Sequence, residues 1–211
     1  KTALSTNVDA IKTGMLPTVE IIETAAEAID RSGLEKVVID PVLVCKGEDQ
    51  ALFPENVEAM VKLLLPRALV VTPNLFEAGQ LSGLGTLTTI DDMKRAAVKI
   101  HEAGAKNVVI KGGKQLQHDK AVDLFFNGTT YTLLESEKTA TTYNHDAGCT
   151  FAAAVTANLA NGLAVNESVL EAKKFVSAAI ANGWKLNEYV GPVMHGAKNR
   201  FGAPEVTTSE V

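Results

Sequence analysis

Cysteine is scarce in this sequence. Only Cys45 and Cys149 occur, far apart and with no His or Cys at metal-ligand spacing, so neither a zinc site nor a disulfide framework is expected, and a cytoplasmic chain with free thiols is. Also missing is any block of basic residues. Twenty Lys plus Arg against 25 Asp plus Glu leave a net charge of −5, which argues against a nucleic-acid-binding face because phosphate contacts need clustered cations. No apolar run approaches the roughly 18 residues of a membrane helix, so no membrane partner is expected. The N-terminal Lys1-Thr2-Ala3-Leu4 lacks the charged segment, apolar run and cleavage site of a secretory signal. Low-complexity segments, internal repeats and linker-like charge runs are absent as well. With 211 residues, 46% of them apolar, the chain reads as one folded unit.

What is present is alternation. Strand-like runs at 10–13, 36–40, 68–72 and 107–111 alternate with helical stretches at 17–32, 55–65, from Asn74 towards Gly83, and 89–103. Pro17 suits a first turn, Gly33 a helix C-terminus, and Asn74 an N-cap. Runs at 122–126 and 130–134 flank Asn127-Gly128, which suits a tight hairpin whose two central positions tolerate positive φ. Two more helices are expected near 148–161 and 167–182. Four buried strands joined through helices imply a parallel sheet covered on both faces, with the hairpin appended to it. Ligands of such folds bind at the carboxyl ends of the strands. Those ends are polar here, carrying Thr13-Gly14-Met15, Asp40, Thr72-Pro73-Asn74 with Glu77, and Lys111-Gly112-Gly113-Lys114.

Ala147-Gly148-Cys149-Thr150 is a small-residue turn running into a helix, whose free amides and macrodipole favour an anion and lower the pKa of a thiol placed there. Cys149 then reads either as a thiolate base or as a small buried hydrophobe, and His145 either as a proton-handling group or as a solvated loop residue. Asp40 with Glu77 could hold Mg²⁺ directly or through water; alternatively Glu77 is an acidic helix-start residue. The Lys111–Lys114 segment has the composition of a phosphate cradle. His101, His118 and His195 have no partner at metal spacing and read as solvated or core histidines.

Taken together, Ile11-Lys12-Thr13-Gly14-Met15, Val38-Ile39-Asp40-Pro41-Val42 with Lys46-Gly47, Thr72-Pro73-Asn74-Leu75-Phe76-Glu77-Ala78, Val109-Ile110-Lys111-Gly112-Gly113 and His145-Asp146-Ala147-Gly148-Cys149-Thr150 resemble the ribokinase-like superfamily. The likeness is to its pyridoxal kinase and hydroxymethylpyrimidine kinase branch, which ends the last motif in Cys where most of the superfamily has Asp. The resemblance implies an α/β three-layer sandwich with a mainly parallel central sheet, and transfer of the ATP γ-phosphate to a hydroxymethyl oxygen. Pyridoxal, pyridoxine or pyridoxamine is the first substrate reading and hydroxymethylpyrimidine or its phosphate the second. A non-catalytic nucleotide- or vitamin-binding fragment is a rival of another class, and a sugar kinase, which needs Asp in place of Cys149, ranks last.

In that reading Cys149 is the base, while the amides of Ala147, Gly148 and Cys149 stabilise the phosphoryl group. Asp40, Asn74 and Glu77 organise Mg²⁺ and phosphates, and Lys111 to Gln115 (with Gly112, Gly113 and Lys114), Asp123 and Lys173 border ATP. Gly14 and Met15 line the substrate ring, Lys46 sits on a lid, and Cys45 adds to an aldehyde substrate. A homodimer is also implied. Two departures stand out: Asp146 replaces a glycine of the family pattern, and Lys1 aligns inside that pattern. The expectation is therefore a single kinase domain over residues 1–211 that lacks the family's Gly- and Asp-rich N-terminal strand-loop segment.

Overall fold

The computed structural model describes residues 6–43, 54–188 and 190–211. Along the chain run β1 (Ile11–Lys12), α1 (Val19–Ser32), β2 (Val37–Ile39), α2 (Pro54–Ala59), β3 (Val70–Val71), α3 (Leu75–Ser82), α4 (Ile90–Glu102), β4 (Val108–Lys111), β5 (Ala121–Phe126), β6 (Tyr131–Ser136), α5 (Ala147–Ala160), α6 (Val165–Ala181), α7 (Ala197–Phe201) and β7 (Thr207–Glu210). The strands form one sheet in sequential order. β1 to β4 are parallel, and β4 to β7 pair antiparallel. The hairpin β5–β6 thus continues the sheet through β4.

Sequential parallel order with crossovers of one hand places every connection from β1 to β4 on the same face. The side-chain alternation of the strands records this directly. Val37, Ile39, Val108, Ile110 and Leu124 pack with α1, α3 and α4, whereas Val38, Val109 and Phe125 pack with α5 and α6. The result is three layers, with helices on both faces.

Local chemistry explains most boundaries. Thr18 caps α1 and Gly33 closes it in the left-handed conformation. Thr89 and Asp92 form a capping box at α4. The helix expected at 55–65 is α-helical only to Ala59; residues Met60–Leu64 widen to a π turn, and Leu65–Arg67 tighten to a 3₁₀ turn containing Pro66, whose missing N–H cannot continue the ladder.

Two expectations need correction. At Asn127-Gly128 only Gly128 has positive φ; Asn127 instead uses its Oδ1 to accept from the amides of Thr129 and Thr130, an Asx-type turn. α7 and β7 were not foreseen. β7, Thr207-Thr208-Ser209-Glu210, is exposed at every position, so it shows none of the alternation that marks a half-buried strand. Among the described residues no helix is long and apolar enough to cross a membrane.

Candidate active site

The parallel strands end on one rim of the sheet. Asp40 follows β2, Thr72 to Asn74 follow β3, and Lys111 closes β4, where its amide donates to the Pro73 carbonyl at 2.9 Å. Asp40 is 2% exposed. Its Oδ1 accepts from Thr72 Oγ1 at 3.5 Å and lies 3.6 Å from Lys111 Nζ, while its Oδ2 is buried with no partner among the described residues. An unsatisfied buried carboxylate oxygen is costly, which is a reason to look for a ligand that would complete it.

Beside it, the N-terminus of α3 is capped by its own side chains. Asn74 Oδ1 accepts from the Glu77 amide at 2.8 Å, and Glu77 Oε2 accepts from the Asn74 amide at 2.7 Å, a reciprocal capping box. Burial raises the carboxyl pKa of Glu77, with Lys111 and the Asn74 amide pulling in the opposite direction. Glu77 therefore serves as a helix-start residue, whatever it contributes to a bound ion.

The N-terminus of α5 is open. Asp146 sits at the N-cap with φ 67° and ψ 7° and makes no capping hydrogen bond. Among the described residues it is the one non-glycine with positive φ. The expected trio of anion-binding amides is reduced to two: Ala147 donates to the Asn144 carbonyl at 3.2 Å, whereas Gly148 and Cys149 donate to no acceptor among the described residues. Lys111 reaches this turn from the sheet, and its Nζ lies 3.3 Å from where a Cβ on Gly148 would stand. A single lysine thus touches the buried carboxylate and the open helix end.

The thiol of Cys149 corrects a second expectation. Its pKa is raised rather than lowered, first by burial and then by the Asp40 carboxylate, with Asp146 adding and Lys12 opposing. Partial desolvation and the two carboxylates act against the field of the helix end.

The turn ahead of α5 is braced by a segment the sequence did not single out. The His145 amide donates to the Gly191 carbonyl at 3.0 Å, and the Val193 amide donates back to the His145 carbonyl at 3.3 Å. Tyr143 packs so closely on Gly191 that a Cβ there would meet its ring at 2.1 Å. His195, read from sequence as solvated or core, has Nε2 3.0 Å from Thr150 Oγ1. It lines a cavity of about 620 Å³ with Lys12, Asp146, Cys149 and Thr150. Nothing in the spacing of His195 pointed there.

On the far side of Lys111, Gly112 donates to Val122 O at 3.0 Å and Asp123 Oδ1 at 3.1 Å. A Cβ on Gly112 would meet the Val122 oxygen at 2.3 Å, so the turn requires glycine. Asp123 and Lys173, expected to border a nucleotide, are both buried beside this turn. Lys173 Nζ donates to Asp123 Oδ2 at 2.9 Å and to the Ala121 carbonyl at 3.0 Å. Their charges satisfy each other and fix the loop. Gly113, Lys114 and Gln115 are exposed, and Lys114 Nζ donates to the Thr141 carbonyl. Met15 is exposed, and Gly14 lies beside Lys12 Nζ. Cys45 and Lys46 fall outside the described residues.

Among the described residues no three His, Cys, Asp or Glu side chains are grouped to hold a metal. Mg²⁺ asks for less, since it binds through one or two carboxylates plus phosphates and water. The unpartnered Oδ2 of Asp40 fits that demand.

The chain matches the family described as phosphomethylpyrimidine kinase over residues 2–194. It is 58% identical over 211 residues to a putative pyridoxine kinase of Staphylococcus aureus (strain COL), covering 100% of this chain and 76% of that protein. It is 57% identical over 190 residues to the pyridoxine kinase of Bacillus subtilis (strain 168), covering 90% and 70%. The structure of the pyridoxal kinase from Staphylococcus aureus in complex with AMP-PCP and pyridoxal superposes with a TM-score of 0.94 at 55% identity, covering 100% of this chain and 76% of that one.

Proposed function

The chain belongs to the phosphomethylpyrimidine kinase family, and from that premise we propose that it transfers the γ-phosphoryl group of ATP to the hydroxymethyl oxygen of pyridoxal, pyridoxine or pyridoxamine, a vitamin B6 salvage reaction. The observation that carries the reading is the position of Lys111, which is within reach of the buried Asp40 carboxylate and of Gly148 in the open first turn of α5. Phosphoryl transfer asks a protein mainly for positioning and for fixed positive potential around the moving group. Lys111 and the amides of Gly148 and Cys149 supply that potential in an otherwise acidic chain. Gly112 to Gln115 offer a loop along which the nucleotide lies, and Gly14 with Met15 flank the space for the vitamin ring.

Mg²⁺ held through Asp40 would neutralise charge on the β- and γ-phosphates. Asn74 and Glu77 keep the adjoining strand end and helix rigid. Lys173 and Asp123 support the Gly112 turn from below. A homodimer in the cytoplasm is the assembly and location that accompany this reading.

The pyridoxine and pyridoxal kinase names of the most similar relatives favour B6 vitamers, whereas the family description keeps hydroxymethylpyrimidine or its phosphate as the second substrate reading. Incubating the protein with MgATP and each candidate separately, then quantifying phosphorylated product, decides between them. Product from the vitamers in excess supports the first reading, and product from the pyrimidine in excess supports the second. ATP binding without product from either supports the non-catalytic reading.

A further inference from the structure

Asp40 and Lys111 belong to a row of polar side chains that crosses the carboxyl ends of four neighbouring strands. Val38, Val70 and Val109 pack with α5 and α6, and Lys12 pairs in register with Val38. Alternation along each strand therefore puts Lys12, Asp40, Thr72 and Lys111 on that same face of the sheet. Three of the four engage one another, since Thr72 and Lys111 both contact Asp40.

Lys12 is the exception. It stands one strand from Asp40, where Lys111 stands two, at about 5 Å per strand. Yet its ammonium makes no ion pair or hydrogen bond among the described residues. It lies instead beside Gly14, 3.6 Å from where a Cβ would stand there, and borders the cavity that Cys149 and Thr150 line. Its charge reaches Cys149, whose thiol pKa it pulls down against burial and the two carboxylates. The other cations around the cavity are engaged, Lys198 with Glu171 and His195 with Thr150.

A half-buried ammonium without a counter-charge, next to helix amides that have no acceptor among the described residues, favours an anion between them. Chain order says which anion. Lys111 leads into the Gly112–Gln115 loop given above to the nucleotide, whereas Lys12 leads into Gly14 and Met15, given to the vitamin ring. The two lysines thus stand at opposite ends of the path that the phosphoryl group travels.

Resting on the kinase reading above, we propose that Lys12 binds the phosphoryl group on the acceptor side, holding the phosphate monoester of the product as Lys111 holds the phosphates of the nucleotide.

The test measures affinities for pyridoxine, pyridoxine 5′-phosphate and ADP, together with turnover of pyridoxine and MgATP, in the wild-type chain, Lys12→Met, Lys12→Arg and Lys111→Met. Pyridoxine is chosen because it carries no aldehyde to condense with a lysine. Lys12→Met is expected to weaken pyridoxine 5′-phosphate binding about 10- to 100-fold, the worth of a hydrogen bond between charged groups, while pyridoxine and ADP bind as in the wild type and kcat falls. Lys12→Arg keeps the charge and should recover most of the product affinity, and Lys111→Met should weaken ADP more than the product. Equal losses for pyridoxine and its phosphate, a larger loss for ADP, or no loss in Lys12→Met overturns the assignment of Lys12 alone. So does a fall in thermal stability with all three ligands lost and no recovery in Lys12→Arg. A wild-type chain that phosphorylates no acceptor overturns the kinase reading and this assignment together.

Discussion

Helices α3 and α5 present two different N-termini to one ligand-binding region. At α3, Asn74 and Glu77 satisfy each other's backbone donors, and the Glu77 carboxylate occupies the helix end. At α5, the N-cap residue Asp146 makes no cap, and the amides of Gly148 and Cys149 donate to no acceptor among the described residues. The lysines divide in the same way. Lys173 is buried and bonded to Asp123 and Ala121, while Lys111 lies between a half-satisfied Asp40 and the open turn. Groups that satisfy one another hold the frame. Groups that do not are the ones a nucleotide and an ion can complete.

That division predicts different failures. The largest is Lys173→Met, which leaves Asp123 buried and unpaired; it should destabilise the fold by about 3–5 kcal/mol, read as a fall in the denaturant midpoint. Lys111→Met should instead act on chemistry, lowering kcat/KM for ATP by about 100-fold, and steady-state kinetics on folded protein would show it. Asn74→Ala opens the closed helix end and should cost about 1 kcal/mol, a drop in Tm of roughly 2–4 °C for a chain of this size. The smallest effect runs the other way. Asp146→Gly removes a Cβ from a left-handed residue and should raise stability by up to about 1 kcal/mol, read as a rise in its thermal melt.

The closed features were largely legible in the sequence because they are local. Asn74 as an N-cap, Gly33 as a helix end, and the strands at 36–40 and 107–111 depend on neighbours a few residues away, and the structure has each of them. The resemblance carried the rim of the site, from Asp40 to Cys149. What was not legible is long-range. The bond between Asp123 and Lys173 spans 50 residues, and the approach of His195 to Thr150 spans 45; no spacing rule encodes either. The direction of the Cys149 pKa shift was missed for a related reason, since its helix position can be read from the chain but the neighbouring Asp40 and the partial desolvation of the thiol cannot. β7 escaped because a fully exposed strand carries no apolar alternation.

The most direct test of the account is product formation by the chain itself. Incubation with MgATP and pyridoxal should yield pyridoxal 5′-phosphate and ADP in equal amounts, with the yield collapsing in Lys111→Met. Nucleotide bound at the rim of the sheet, with no phosphorylated product from pyridoxal or any other B6 vitamer, would contradict it.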